Sequence, residues 1–205
     1  MKTSNSRFLN NLDRADNLVG IHGSLSDTVT EALDVSDILR GSLVMAVSAL
    51  DLFVHDLVRI GILDACRGRI HQTKSFRKFA VPLGTLLGTR DPLLELAWLE
   101  GEIRLQHGWR SFEHPQKIAE ALRLVSDDNQ WAECGRRMKI SASEVQTGLA
   151  SIIDRRNKIV HEFDVNPIDP IELYSINPQM VRESIGFIRN VGNGIYESLI
   201  VKYGV

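Results

Sequence analysis

Apolar residues return every three or four positions along almost the whole chain, while strictly alternating runs bounded by Asn-Gly or Asp-Gly turns are missing. That pattern predicts helices and argues against hairpins. A first helix is expected over about residues 5–20, with Phe8, Leu9, Leu12 and Leu18 inward. A second is expected over about 35–65, with a possible break near Gly41; its stretch 42–63 is apolar nearly all round, as in a central buried helix. Residues 66–82 (CRGRIHQTKSFRKFAVP) then read as a basic connection with one short helix. Helical spacing returns over about 92–106 (Leu93, Leu94, Leu96, Trp98, Leu99, Ile103), then over 115–126, opened by Pro115, and over 128–138. At 141–163 the start signal is strong: Ser141 or Ser143 can cap the exposed amides, and Glu144 stands three residues after Ser141, as a capping box requires. Residues 165–178 hold three of the six prolines and form a loop. The last helix is expected over about 178–203, with Val181, Ile185, Ile188, Ile195, Leu199 and Ile200 inward. Together these elements describe one all-α domain over residues 1–205, in which about 66–140 is a helical elaboration between core helices at about 35–65 and 141–203.

Composition narrows the function classes. With 43% hydrophobic residues in a chain of 205, a full core can be buried without disulfide or metal staples. Lys plus Arg is 24 and Asp plus Glu is 26, so bulk positive charge cannot be the means of holding nucleic acid, although a local basic patch can. The longest apolar run, 43–50, is far short of the roughly 20 residues a bilayer span needs. The polar N-terminus lacks the apolar stretch of a signal peptide. Cys66 and Cys134 have neither metal spacing nor the makings of a disulfide framework, and the six histidines lack ligand spacing. The expectation is a soluble cytoplasmic protein with no membrane association, no metal and no cofactor.

The segment Asp154-Arg155-Arg156-Asn157-Lys158-Ile159-Val160-His161 carries the most chemistry. On a helix, Leu149, Ile152, Ile153, Val160 and Phe163 form one apolar stripe, and Arg156 falls in its middle. A guanidinium facing a core is costly unless an anion or acceptors meet it. Asn157 and His161 are i and i+4, and Asp154 is i−3 from Asn157, so these three share a neighbouring face. Two explanations stand side by side. Arg156 pairs internally with an acid while His161 caps the helix C-terminus, or the edge is a site. Asp51 and His55, i and i+4 on the apolar second helix, are either a mutually satisfied pair or a support that fixes the Arg156 side chain.

Arg156-Asn157-Lys158-Ile159-Val160-His161 resembles the R-x4-6-H signature of the HEPN superfamily of α-helical ribonucleases and nucleotide-binding domains, with Asn157 at the polar position after the arginine. MAVSALDLFVHDLV (45–58) is similar to the first core helix of the RiboL-PSP-like branch, with Asp51 and His55 as its Asp and His four apart. The resemblance covers roughly 35–65 and 141–203, and 66–140 matches nothing recognised. It implies metal-independent RNA cleavage by 2′-hydroxyl transesterification, with Arg156, His161 and Asn157 catalytic and Asp51, His55 and Asp154 supporting. It also implies a toxin of a toxin–antitoxin pair or an antiviral-defence effector, restrained by an inhibitory or sensor protein. A non-catalytic HEPN-like module that binds nucleotide, RNA or a protein partner is the alternative.

The chemistry fits those residue types. Histidine moves protons near neutral pH, and the arginine fork matches phosphate oxygens and the charge of a phosphorane. Arg156 and His161 are about 140° apart around an ideal helix, which expects them to splay in one copy and to meet in a homodimer with a composite active site. For the RNA backbone, Arg67, Arg69, Lys74, Arg77 and Lys78 form a run without an acid, with Phe76 and Phe79 interleaved; Arg155 and Lys158 flank the motif. Trp98, Trp109 and Trp131 are expected in the core.

Overall fold

The computed structural model describes residues 1–30, 33–88, 96–169 and 171–201. Among them the chain forms eight α-helices: α1 (Lys2–Ser26), α2 (Asp37–Cys66), α3 (Leu83–Leu87), α4 (Ala97–His107), α5 (Pro115–Leu122), α6 (Gln130–Met138), α7 (Ala142–Glu162) and α8 (Pro178–Ile200). A 3-10 turn at Phe76–Lys78 and one isolated bridge between Val165 and Leu173 complete the ordered elements. The all-α expectation holds. Leu93 and Leu94 of the anticipated 92–106 helix, and the final residues of the anticipated 178–203 helix, lie outside the described residues.

Helix α2 is the axis of the molecule. It runs unbroken through Gly41 and buries eighteen of its thirty residues, among them Leu50, Phe53, Val54 and Leu57. Helices α1, α7 and α8 pack around it, α4 and α5 lie against its C-terminal half, and α6 is wedged against α7 and α8. The α1 face that turns inward is Phe8, Leu12, Ala15 and Val19, whereas Leu9 and Leu18, expected inward, are only half-buried. On α8, Gly192 lets the Phe8 ring approach so closely that a Cβ there would stand 2.2 Å from a ring carbon. Polar ties reinforce these contacts: Ser42 Oγ donates to the Ala15 carbonyl at 2.7 Å, and Arg189 on α8 pairs with Asp13 on α1 at 2.8 Å.

Both ends of α7 are chemically specified. At its start Ser141, rather than Ser143, is the cap: Ser141 Oγ accepts from the Glu144 amide at 3.1 Å, and the Glu144 carboxylate accepts from the Ser141 amide at 2.8 Å. Hydrogen bonding from the Ser141 amide, and secondarily from its hydroxyl, holds the Glu144 carboxyl below its ordinary pKa. At its end Phe163 and Asp164 are both left-handed, with φ of 53° and 59°, so the chain reverses. The reversal corrects the expected apolar stripe. Leu149 and Ile153 are buried, but Val160 is 45% exposed and Phe163, one residue past the helix, is 83% exposed. At Phe163 the stripe extrapolated a helical period beyond the point where the helix stops, whereas Val160 lies in the last turn of α7 and faces solvent.

Candidate active site

That reversal buries Asp164 between two arginines. Arg40 Nε on α2 donates to Asp164 Oδ2 at 2.8 Å, and Arg155 on α7 meets the same carboxylate at 2.7 and 2.8 Å. The guanidinium of Arg40 also donates to the Tyr174 carbonyl at 3.0 Å, and that of Arg155 reaches the Tyr174 and Ser175 carbonyls at 3.2 and 3.1 Å. Arg155 and Lys158 both lie over the Tyr174 ring, at 5.1 and 4.8 Å from its centre. The cluster ties the 163–175 loop to α2 and α7. Arg155, anticipated as an RNA contact, is thus occupied with its own fold. Asp154, exposed, lies with Arg155 and Lys158 in a separate shallow depression.

One residue further along, Arg156 faces the opposite way. It lines a cleft of about 1080 Å³ together with Asn157, His161 and the returning loop 108–114. The cleft is wide enough to take both Arg156 and His161 from one copy, despite their angular separation on the helix. Arg156 forms an ion pair with Glu113 of that loop, and both side chains are largely buried. Its Nη2 carries that pair, while its Nε has no hydrogen bond among the described residues. Burial lowers the pKa of Arg156, and the nearby Asp51 carboxylate pushes it back up.

Asp51 and His55 hold the loop. Asp51 Oδ1 accepts from the Phe112 amide at 2.5 Å, and His55 Nε2 stands 3.1 Å from the Arg110 carbonyl. A carbonyl only accepts, so that nitrogen carries hydrogen. The two side chains are also 3.7 Å apart, and the His55 ring stacks at 4.3 Å on Phe112. The mutual pair is present, and both side chains anchor the loop that carries Glu113, the partner of Arg156.

His107, at the end of α4, is the site residue that sequence spacing missed. It is buried against Phe79 and Phe112, its Nδ1 has no hydrogen bond among the described residues, and it lines the same cleft. Burial, with Arg110 and His55 nearby, pushes its pKa down to about 4, so the ring is neutral at neutral pH. Trp131 is in the core as expected and Trp98 is half-buried, but Trp109 is 76% exposed at the cleft, against expectation. Four cations, Lys78, Arg110, Lys117 and Arg156, line the cleft against Glu113 and Glu120.

The anticipated basic run is dispersed. Lys78 reaches the cleft, whereas Arg67 and Arg69 pair with Asp64 at 3.6 and 3.0 Å, and Lys74 and Arg77 are exposed elsewhere along the connection. A run free of acid in sequence is thus partly neutralised by an acid on the helix before it. Among the described residues no three His, Cys, Asp or Glu side chains converge as a metal site would need, and no helix is long and apolar enough to cross a membrane.

A family model described as RiboL-PSP-HEPN matches residues 9–200. The match takes in α1 from residue 9 onward and the whole 66–140 segment, both outside the region where the motifs alone carry the resemblance. No curated protein and no solved structure matches the chain.

Proposed function

The chain belongs to the RiboL-PSP-HEPN family, and from that premise we propose that it is a metal-independent endoribonuclease. The observation that supports this most is Arg156, a largely buried guanidinium met by the Glu113 carboxylate alone and with its Nε unfilled among the described residues, in one cleft with Asn157 and the exposed His161. In this mechanism a phosphodiester displaces Glu113 from Arg156 or shares the guanidinium with it. The 2′-oxygen attacks phosphorus, the bond to the 5′-oxygen breaks, and a 2′,3′-cyclic phosphate remains. His161 takes the 2′-hydroxyl proton or delivers one to the leaving 5′-oxygen, Arg156 stabilises the phosphorane charge, and Asn157 orients the ring or the phosphate. Val160 and Phe163, exposed beside His161, offer an apolar face through which a second copy completes a composite site. Restraint by an inhibitory or sensor protein, as in a toxin or a defence effector, belongs to the same proposal.

The Glu113–Arg156 pair favours a second reading, a non-catalytic HEPN module that binds nucleotide, RNA or protein, because the pair already satisfies part of the arginine's charge. RNA cleavage in EDTA by the wild-type protein and by His161→Ala separates the two. The nuclease yields cyclic phosphate ends that vanish in the variant. Cleavage that needs a divalent ion, or that survives His161→Ala unchanged, defeats this mechanism.

A further inference from the structure

Trp109 is exposed where its neighbours are fastened. The loop that carries it is pinned at the Arg110 carbonyl by His55 and at the Phe112 amide by Asp51, and Phe112 packs on both His55 and His107. Slack in the loop therefore does not explain an indole that is 76% exposed. Leaving so large an apolar ring in water forfeits burial that the fold obtains from Trp131. The Arg110 guanidinium lies over the Trp109 ring, 5.1 Å from its centre, so one face of the indole carries a cation and a base would stack on the other. The indole opens on the cleft that holds Lys78, Lys117 and Arg156. An aromatic face beside cations in one groove is what an unpaired nucleobase and its phosphates require, because the base stacks while the backbone is neutralised. A base inside a duplex has both faces already stacked and gains nothing there.

We propose that Trp109 is a stacking platform that seats one unpaired nucleobase of a single-stranded RNA whose phosphate engages Arg156. This rests on the nuclease reading and gives it a specificity element supplied by the 66–140 segment. The platform selects strand state rather than base identity, since every base presents a π-face.

The test uses the full-length protein with a short 2′-O-methyl oligonucleotide, which lacks the attacking hydroxyl. Binding quenches indole fluorescence in the wild type, and the quench is lost in Trp109→Ala. Affinity falls about tenfold or more in Trp109→Ala, and Trp109→Phe recovers most of it. The same oligonucleotide made abasic throughout binds wild type and Trp109→Ala alike. Equal affinity of the two proteins for the base-bearing strand overturns the platform, as does an equal loss on the abasic strand. A change of oligomeric state in Trp109→Ala without a change in RNA affinity assigns the indole to a protein contact instead. Persistent His161-dependent cleavage with Trp109→Ala unaffected fells the platform alone, whereas no binding or cutting of any RNA fells the nuclease reading with it.

Discussion

Arg155 and Arg156 are consecutive residues on α7, yet they belong to two regions with opposite electrostatic construction. Arg155 enters a closed cluster in which Asp164, two backbone carbonyls and the Tyr174 ring meet it, with Arg40 on the other side of the same carboxylate. Arg156 enters an open cleft and meets one carboxylate on a loop. Both arginines keep Nε without a hydrogen bond among the described residues, but Arg155 is met by a buried carboxylate and two carbonyls, whereas Arg156 is met by a single carboxylate that a loop supplies. A largely buried cation held by one loop carboxylate at the wall of a cleft marks a place where the fold leaves charge for something other than itself.

The sharpest way to break this contrast is to remove each region's key residue and read stability and cleavage together. Asp164→Ala leaves Arg40 and Arg155 facing each other without their anion, and should cost about 3–5 kcal/mol in urea unfolding. Arg156→Ala should unfold near the wild-type midpoint while RNA cleavage falls ~10²–10³-fold. Equal destabilisation by the two variants would make Arg156 a structural residue like its neighbour.

Next in size is an acid effect confined to the cleft. The fold holds His107 neutral, with its pKa pushed down to about 4, while the ring in the unfolded chain titrates near its ordinary 6.5. Between those values the unfolded chain binds more protons, so stability falls as pH drops through the window and is unaffected by His107 above it. The loss should reach about 3 kcal/mol at the acid end. Denaturant midpoints measured across that range should be flatter in His107→Phe; an unchanged slope would move the acid sensitivity elsewhere.

The smallest effect should touch both regions equally. Ser141→Ala removes the α7 cap and should cost about 1 kcal/mol. Because the cap lies at the far end of the helix from both arginines, cleavage at a permissive temperature should be unchanged, and a selective loss of activity would show that the helix start positions the cleft.

Much of this architecture is legible in the chain. The helices declare themselves by apolar period, the start of α7 by its capping box, and Asp51, His55, Arg156, Asn157 and His161 by spacing on two helices. These are local signals, set by residues within a turn or two of one another. The misses share a different cause. Phe163 falls on the apolar period but a left-handed turn cuts the stripe off before it, and the basic run has its opposing acid, Asp64, on the preceding helix rather than within it. The residue type of Trp109 favours burial, but no local pattern says what an isolated tryptophan in a loop will pack against.

By itself, then, the sequence determined the helical class, the caps, the family pattern and which residue types could do phosphate chemistry. Only the tertiary structure decided which of two adjacent arginines is closed and which is open. A helix sends consecutive side chains about 100° apart, and what each meets there depends on segments far away in the chain. For Arg155 that segment is Asp164 to Ser175, drawn in together with Arg40. For Arg156 it is the loop of Trp109 to Glu113, held over the cleft by Asp51 and His55.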